Sequence, residues 1–181
     1  MSTNLNELSK EIHESNVKMG WWNARDGKPP CIYEKLQLIS TEVAEATEGE
    51  RKGLMDEHLP HRIMAEVELA DALIRTLDIG GRLRLRCLPS HYPIDPDLSK
   101  AGQHLEINIA LCSLALRLKT IDSGEYSYLD RSYSILVDKI LDCASLNDYD
   151  IYAAMEEKIS YNAQRADHKL ENRAKENGKK F

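Results

Sequence analysis

Two stretches of the chain repeat apolar residues at helical spacing, and a short breaker-rich gap separates them. In the first, Ile32, Leu36, Ile39, Val43 and Ala46 recur at intervals of 4, 3, 4 and 3. In the second, Ile63, Val67, Ala70, Ile74 and Leu77 do the same, and Leu69 and Leu73 widen the stripe. That period belongs to a helix and not to a strand. Gly53 suits a C-cap for the first helix, over Ile32–Lys52, and Pro60 suits the start of the second, running to Leu83. A gap this short between two amphipathic helices predicts an antiparallel hairpin.

The rest of the chain extends the helical reading. A helix is predicted over 3–19 and ends at Gly20. The stretch NARDGKPP is a loop. Residues 84–100 hold three prolines and read as a connector. Further helices are predicted over 101–120, 127–145 and 148–172, with a polar tail after them. Gly and Pro total 15 of 181 residues, too few for a turn-rich β sandwich. The expected fold is an all-α helical bundle whose hairpin carries the functional site. It forms one domain over 1–181, with 84–150 as an added connector and helices.

Each arm of the hairpin carries a pair of carboxylates three residues apart: Glu42 and Glu45 in TEVAEATE, Glu68 and Asp71 in VELADALI. Residues at i and i+3 share a face of a helix. Glu45 lies 8 positions before Gly53 and Glu68 lies 8 after Pro60; Glu42 and Asp71 lie at 11. At 1.5 Å per residue those offsets are about 12 and 16 Å from the loop, so the two pairs meet at the same height. A solvated acidic face would carry Lys or Arg at i+4. Here the i+4 residues are Ala46, Gly49 and Ala72, and only Asp71 has an arginine there, Arg75.

Four converging carboxylates repel one another unless cations join them. All-oxygen donors suit Mg²⁺, with Mn²⁺ as the alternative. No His stands within either pair, which disfavours zinc and a ferritin-like site of the ExxH type. Cys31, Cys87, Cys112 and Cys143 are far apart and form no CxxC pair, so they read as reduced thiols. The net charge is −6, with no basic footprint for nucleic acid. The first residues, MSTNLNELSK, lack the apolar run of a leader, and no segment approaches the ~18 apolar residues of a membrane span. A cytoplasmic protein is expected.

A second set of residues faces the phosphate question. Lys158, Asn162, Arg165 and Lys169 recur at 4, 3 and 4, on one face of the last helix. Such a stripe can bind phosphate oxygens or remain a solvated face. Trp21 and Trp22 can stack on a nucleobase or plug the core beside a helix end; Trp22 joins Lys158, Asn162 and Arg165 as a candidate substrate-binding residue. The six histidines are scattered and read as structural or exposed.

TEVAEATE followed by VELADALIRTLDI resembles the ExxE…ExxD signature of the MazG-like all-α NTP pyrophosphohydrolase superfamily, which also holds dimeric dUTPases and phosphoribosyl-ATP pyrophosphohydrolases. The stretch WWNARDGKPPCIYEKLQLISTEVAEATEGERKG resembles the entry segment of MazG-like proteins, and KISYNAQRADHK…NGKKF resembles the last helix and tail of one branch. The resemblance covers residues 18–83 and 156–181 and leaves 84–150 outside it. It implies Mg²⁺-dependent cleavage of a nucleoside triphosphate between the α and β phosphates, at metal ligands Glu42, Glu45, Glu68 and Asp71. It also implies a role in substrate binding for Lys158 and Asn162, through a similar KxxxYN pattern. Any of the four acids can serve as the base; Glu45 is the candidate. The apolar helix at 105–118 adds the expectation of a homodimer or larger oligomer. The contrasting readings are a ferritin-like carboxylate metalloprotein and a non-enzymatic helical interaction module.

Overall fold

The computed structural model describes residues 4–24, 28–89, 91–120, 126–165, 168 and 170–173. Among them the chain is all-α: α1 (Leu5–Lys18), α2 (Ile32–Lys52), α3 (Met64–Leu83), α4 (Lys100–Thr120), α5 (Tyr126–Leu146), α6 (Ile151–Gln164) and the single turn α7 (Leu170–Arg173). No helix described is long and apolar enough to cross a membrane. The four cysteines are free thiols.

The hairpin has the expected arms and a longer connection. α2 ends at Gly53, whose φ of 62° places it in the left-handed region that glycine tolerates, and its N–H bonds to Gly49 O. α3 begins at Met64 rather than near Pro60. The cause is Asp56, whose Oδ1 accepts the backbone N–H groups of His58 and Leu59. That local turn competes with helix formation. The loop closes through Asp56 N to Arg62 O and Met64 N to Leu54 O. Despite this difference the register of the arms is the one expected. Gly49 abuts the far arm so closely that a methyl group there would lie 3.0 Å from Met64 Cβ. Counting back from that contact, Glu42 is level with Asp71 and Glu45 with Glu68.

α3 is the central helix, packed against α1, α2, α5 and α6. That is why its apolar stripe is so wide: Val67, Leu69, Ala70, Leu73 and Leu77 are all fully buried. The Gly80-Gly81 pair lies inside this helix and does not interrupt it. Each glycine marks a close crossing instead. A methyl group on Gly81 would lie 2.5 Å from His13 Cβ of α1, and one on Gly80 would overlap the Tyr133 ring of α5.

α4 and α5 form a second hairpin, with α4 against α2 and α5 against α3. Their buried residues, among them Ile107, Leu114, Leu136 and Ile140, belong to the same core cluster as Val43 and Leu73. Three backbone donors of the proline-rich connector before α4 are satisfied by α5. Asp130 accepts from Arg86 N, Ser134 from Leu88 N and Asp142 from Ile94 N. A segment without regular structure is held in place this way.

The helix expected over 148–172 is divided. α6 stops at Gln164, and Arg165 is extended, with ψ of 127°. The turn redirects the chain so that the His168 ring meets Trp21 edge-on, with centroids 5.2 Å apart. The basic stripe therefore stays on one helix face only through Asn162, with Arg165 at its C-cap; Lys169 lies outside the described residues.

Candidate metal centre

Glu42 on α2 and Glu68 and Asp71 on α3 converge. One carboxylate oxygen from each lies within 4.8 Å of the other two, and all three residues are buried. Helix geometry explains the meeting. Glu42 is seven residues from Gly49, and Asp71 is seven from Met64, so both arms climb about 10 Å from their close contact. Glu45 is exposed and stands outside this group. Three residues on, it is turned roughly 60° round α2, which takes it past the edge of the packed stripe. It remains near enough for its charge to act on Glu42.

Two cations already hold the acids. Arg75 Nε lies 2.7 Å from Glu42 Oε1. The nitrogen has no well-aimed hydrogen bond, so the pair is a charge contact with imperfect alignment. From α6, Lys158 Nζ lies 3.1 Å from Asp71 Oδ2 and 3.8 Å from Glu68 Oε1, with only 3% of its side chain exposed. α6 is fixed in this position by a clamp at the hairpin loop. Arg62 bridges Glu66 and Glu157 at 3.0 and 2.9 Å, and Glu66 Oε1 also accepts Asp150 N–H at the start of α6.

Burial dominates the protonation of the acids. It pushes the Glu68 carboxyl up to about 9; Lys158 opposes this, and Asp71 and a hydrogen bond shared with Glu42 add to it. Burial raises Glu42 as well, against Arg75, while Asp71 and Glu45 contribute in the same direction as burial. For Lys158, burial favours the neutral amine, but Asp71, Glu68 and Asp56 outweigh it, and the net shift is upward. The ammonium stays charged inside the protein. At neutral pH Glu68 keeps its proton.

The donor set fits a hard dication. It is all oxygen, and an octahedral Mg²⁺ holds its ligand oxygens roughly 3–4 Å apart. The three oxygens lie within 4.8 Å of one another, close to that spacing. Neither His nor Cys belongs to the group, so nothing in it selects a softer metal.

The other expected residues are placed as follows. Asn162 lies one turn beyond Lys158 on α6, and its Oδ1 is buried with no hydrogen-bond partner. Arg165 lies over the Tyr161 ring, 5.7 Å from its centroid. Trp22 is 9% exposed. Its indole N–H donates to Asp78 Oδ1 at 2.9 Å, and Lys35 and Arg82 lie over its ring at 5.2 and 5.3 Å. Asp78 is two helical turns beyond Asp71 on α3. The sequence reading missed the pairing of Arg75 with Glu42. In the sequence Arg75 stands out only as the i+4 neighbour of Asp71, because pairs across a hairpin leave no local spacing.

The chain matches no protein-family model, no curated protein and no solved structure.

Proposed function

We propose that the protein is a Mg²⁺-dependent nucleoside triphosphate pyrophosphohydrolase of the MazG-like kind, with Mn²⁺ as an alternative metal. The observation that carries this reading is the buried convergence of Glu42, Glu68 and Asp71 from two antiparallel helices. The sequence resemblance of the same two segments supports it. When bound, a divalent ion supplies charge neutralisation at phosphate oxygens and a more acidic water.

The protein's own residues have distinct tasks in this reading. Glu42, Glu68 and Asp71 hold the metal. Glu45, exposed at the rim, takes the proton of the attacking water. The water oxygen bonds to the α phosphorus, and the bond from that phosphorus to the α–β bridging oxygen breaks. The products are a nucleoside monophosphate and pyrophosphate. Lys158 and Arg165 offset the charge of the phosphates, and the Asn162 amide serves phosphate, sugar or base. Trp22 serves by holding the entry segment against α3, since its N–H is engaged by Asp78.

Self-association belongs to the same reading. α4 buries Ile107, Ala110, Leu111 and Leu114 inside the chain. Leu105, Ile109, Cys112 and Leu116 form a second stripe at intervals of 4, 3 and 4, and all four are exposed. A second copy of the chain would cover it.

One observation favours a non-catalytic alternative, a helical interaction module. Lys158 and Arg75 already compensate the acids, as in a buried structural ion network. A panel of canonical and modified NTPs and dNTPs, assayed for pyrophosphate release with and without Mg²⁺, decides. Mg²⁺-dependent release of pyrophosphate and monophosphate supports the hydrolase. No turnover of any member supports the module.

A further inference from the structure

The position of Lys158 is unexpected for a residue assigned only to phosphate. An ammonium reserved for substrate would face the carboxylates across an open pocket. Lys158 Nζ instead contacts oxygens of Glu68 and Asp71 directly, from a side chain that is almost wholly buried. Those residues supply two of the three donors of the candidate metal centre. A dication and an ammonium set against the same two side chains in a buried site repel each other strongly, because they are poorly screened there.

We propose that Lys158 is the site's internal counter-ion, and that a divalent metal binds by displacing its ammonium from Glu68 and Asp71 toward the Asn162 side of α6, where it meets the anionic ligand. This rests on the metal reading above and adds an order of events to it. Two features support the exchange. Lysine carries its charge on a flexible four-carbon stem, so the ammonium can move while the helix stays in place. One turn along the same face, Asn162 Oδ1 is a buried acceptor without a donor, a ready partner for a displaced ammonium. The Arg62–Glu157 pair and the Asp150 cap hold α6 itself fixed, which confines the change to the side chain.

The consequence is linkage between metal and anion. Metal-free protein keeps Lys158 against Asp71 and Glu68 and so unavailable. Metal-loaded protein presents the lysine. The same contact makes Lys158 a competitor of the metal, so removing its charge must tighten metal binding even as it weakens anion binding.

Calorimetric titration with Mn²⁺ alone tests the exchange in wild type and Lys158→Met, a variant of similar length without charge. The variant is expected to bind Mn²⁺ about ten-fold more tightly. In wild-type protein, Lys158 is expected to react several-fold faster with an amine-acylating reagent once Mg²⁺ is added, read by peptide mass spectrometry. That second measurement stands even if the variant fails to fold. Mn²⁺ bound equally or less tightly by a folded Lys158→Met, or Lys158 acylation unchanged by Mg²⁺ in protein that binds the metal, overturns the exchange and leaves the metal site intact. Wild-type protein that binds no Mn²⁺ overturns both.

Discussion

Arg75 on α3 places its Nε 2.7 Å from Glu42 Oε1 on α2, so one arm of the hairpin neutralises the acid of the other. With Lys158 on Asp71, this makes the three buried acids unequal. Asp71 and Glu42 each hold a cation, whereas Glu68 is raised to about 9 and carries a proton at neutral pH. Asp71→Asn is therefore expected to destabilise the metal-free protein by about 3 kcal/mol, because it leaves a buried ammonium with a weaker partner. Glu68→Gln removes a carboxyl that must take up a proton to fold at neutral pH, and is expected to be at least as stable as wild type there. Urea denaturation in the presence of a chelator measures both; equal losses would contradict the assignment of charge.

Activity and stability should separate at Glu45. Its side chain is exposed, so Glu45→Gln is expected to change stability by less than about 0.5 kcal/mol. Turnover of the preferred nucleotide at saturating Mg²⁺ should nevertheless fall by at least roughly 100-fold, the scale of a lost general base. Glu42→Gln, Glu68→Gln and Asp71→Asn should lose as much or more. A Glu45→Gln protein with wild-type turnover would remove that residue from the chemistry.

The raised carboxyl of Glu68 fixes the sign of a pH effect. A group that binds its proton more tightly when folded stabilises the fold fully below its unfolded value, here 4.5, and loses that contribution as pH rises toward about 9. His104 acts in the opposite sense. Burial lowers its value below 6.5, so its contribution is present above 6.5 and lost as pH falls. Comparing Glu68→Gln with wild type isolates the carboxyl. The melting temperature of the variant relative to wild type should rise from pH 5 to pH 8 in metal-free buffer. A difference that is flat over this range would contradict a proton on Glu68.

The helical class, the arms of the hairpin and the level of its acids were legible because each leaves a local spacing. Ile32–Lys52 could be bounded from its stripe and from Gly53 alone. Rotation about the helix axis was harder to read. Glu42 and Glu45 share a face loosely, but only Glu42 falls within the packed arc. The start of α3 was set by Asp56, whose side chain bonds form a turn that no periodicity announces. The end of α6 at Gln164 has no Pro or Gly to mark it; its counterpart is a ring contact to Trp21, distant in sequence. Lys158 was visible as part of a basic stripe, yet its insertion among the acids depends on the Arg62–Glu157 clamp, which is a tertiary contact.

The glycine pair in α3 shows the same limit. Read locally, Gly80-Gly81 weakens a helix; in the fold it admits neighbouring helices. Gly80→Ala is expected to cost about 2–3 kcal/mol, since the fully buried Tyr133 must give way. Tyr133→Leu should recover part of that cost when combined with it. Chemical denaturation of the two single variants and the double variant measures the coupling; simple additivity would contradict the crossing of α3 and α5 at this point.

The exposed stripe on α4 predicts an interface between copies. Leu105, Ile109 and Leu116 are 59%, 54% and 61% exposed in the single chain. Sedimentation at micromolar concentration should show a dimer or larger species for wild type and a monomer for Ile109→Glu. A wild-type monomer would contradict the interface.

A metal centre at Glu42, Glu68 and Asp71 is open to direct observation. Crystals soaked in Mn²⁺ and measured at a wavelength where manganese scatters anomalously locate the ion directly. A strong anomalous peak is expected within direct coordination distance of carboxylate oxygens from all three residues. A peak elsewhere, or no peak at these carboxylates in Mn²⁺-soaked crystals, would contradict it.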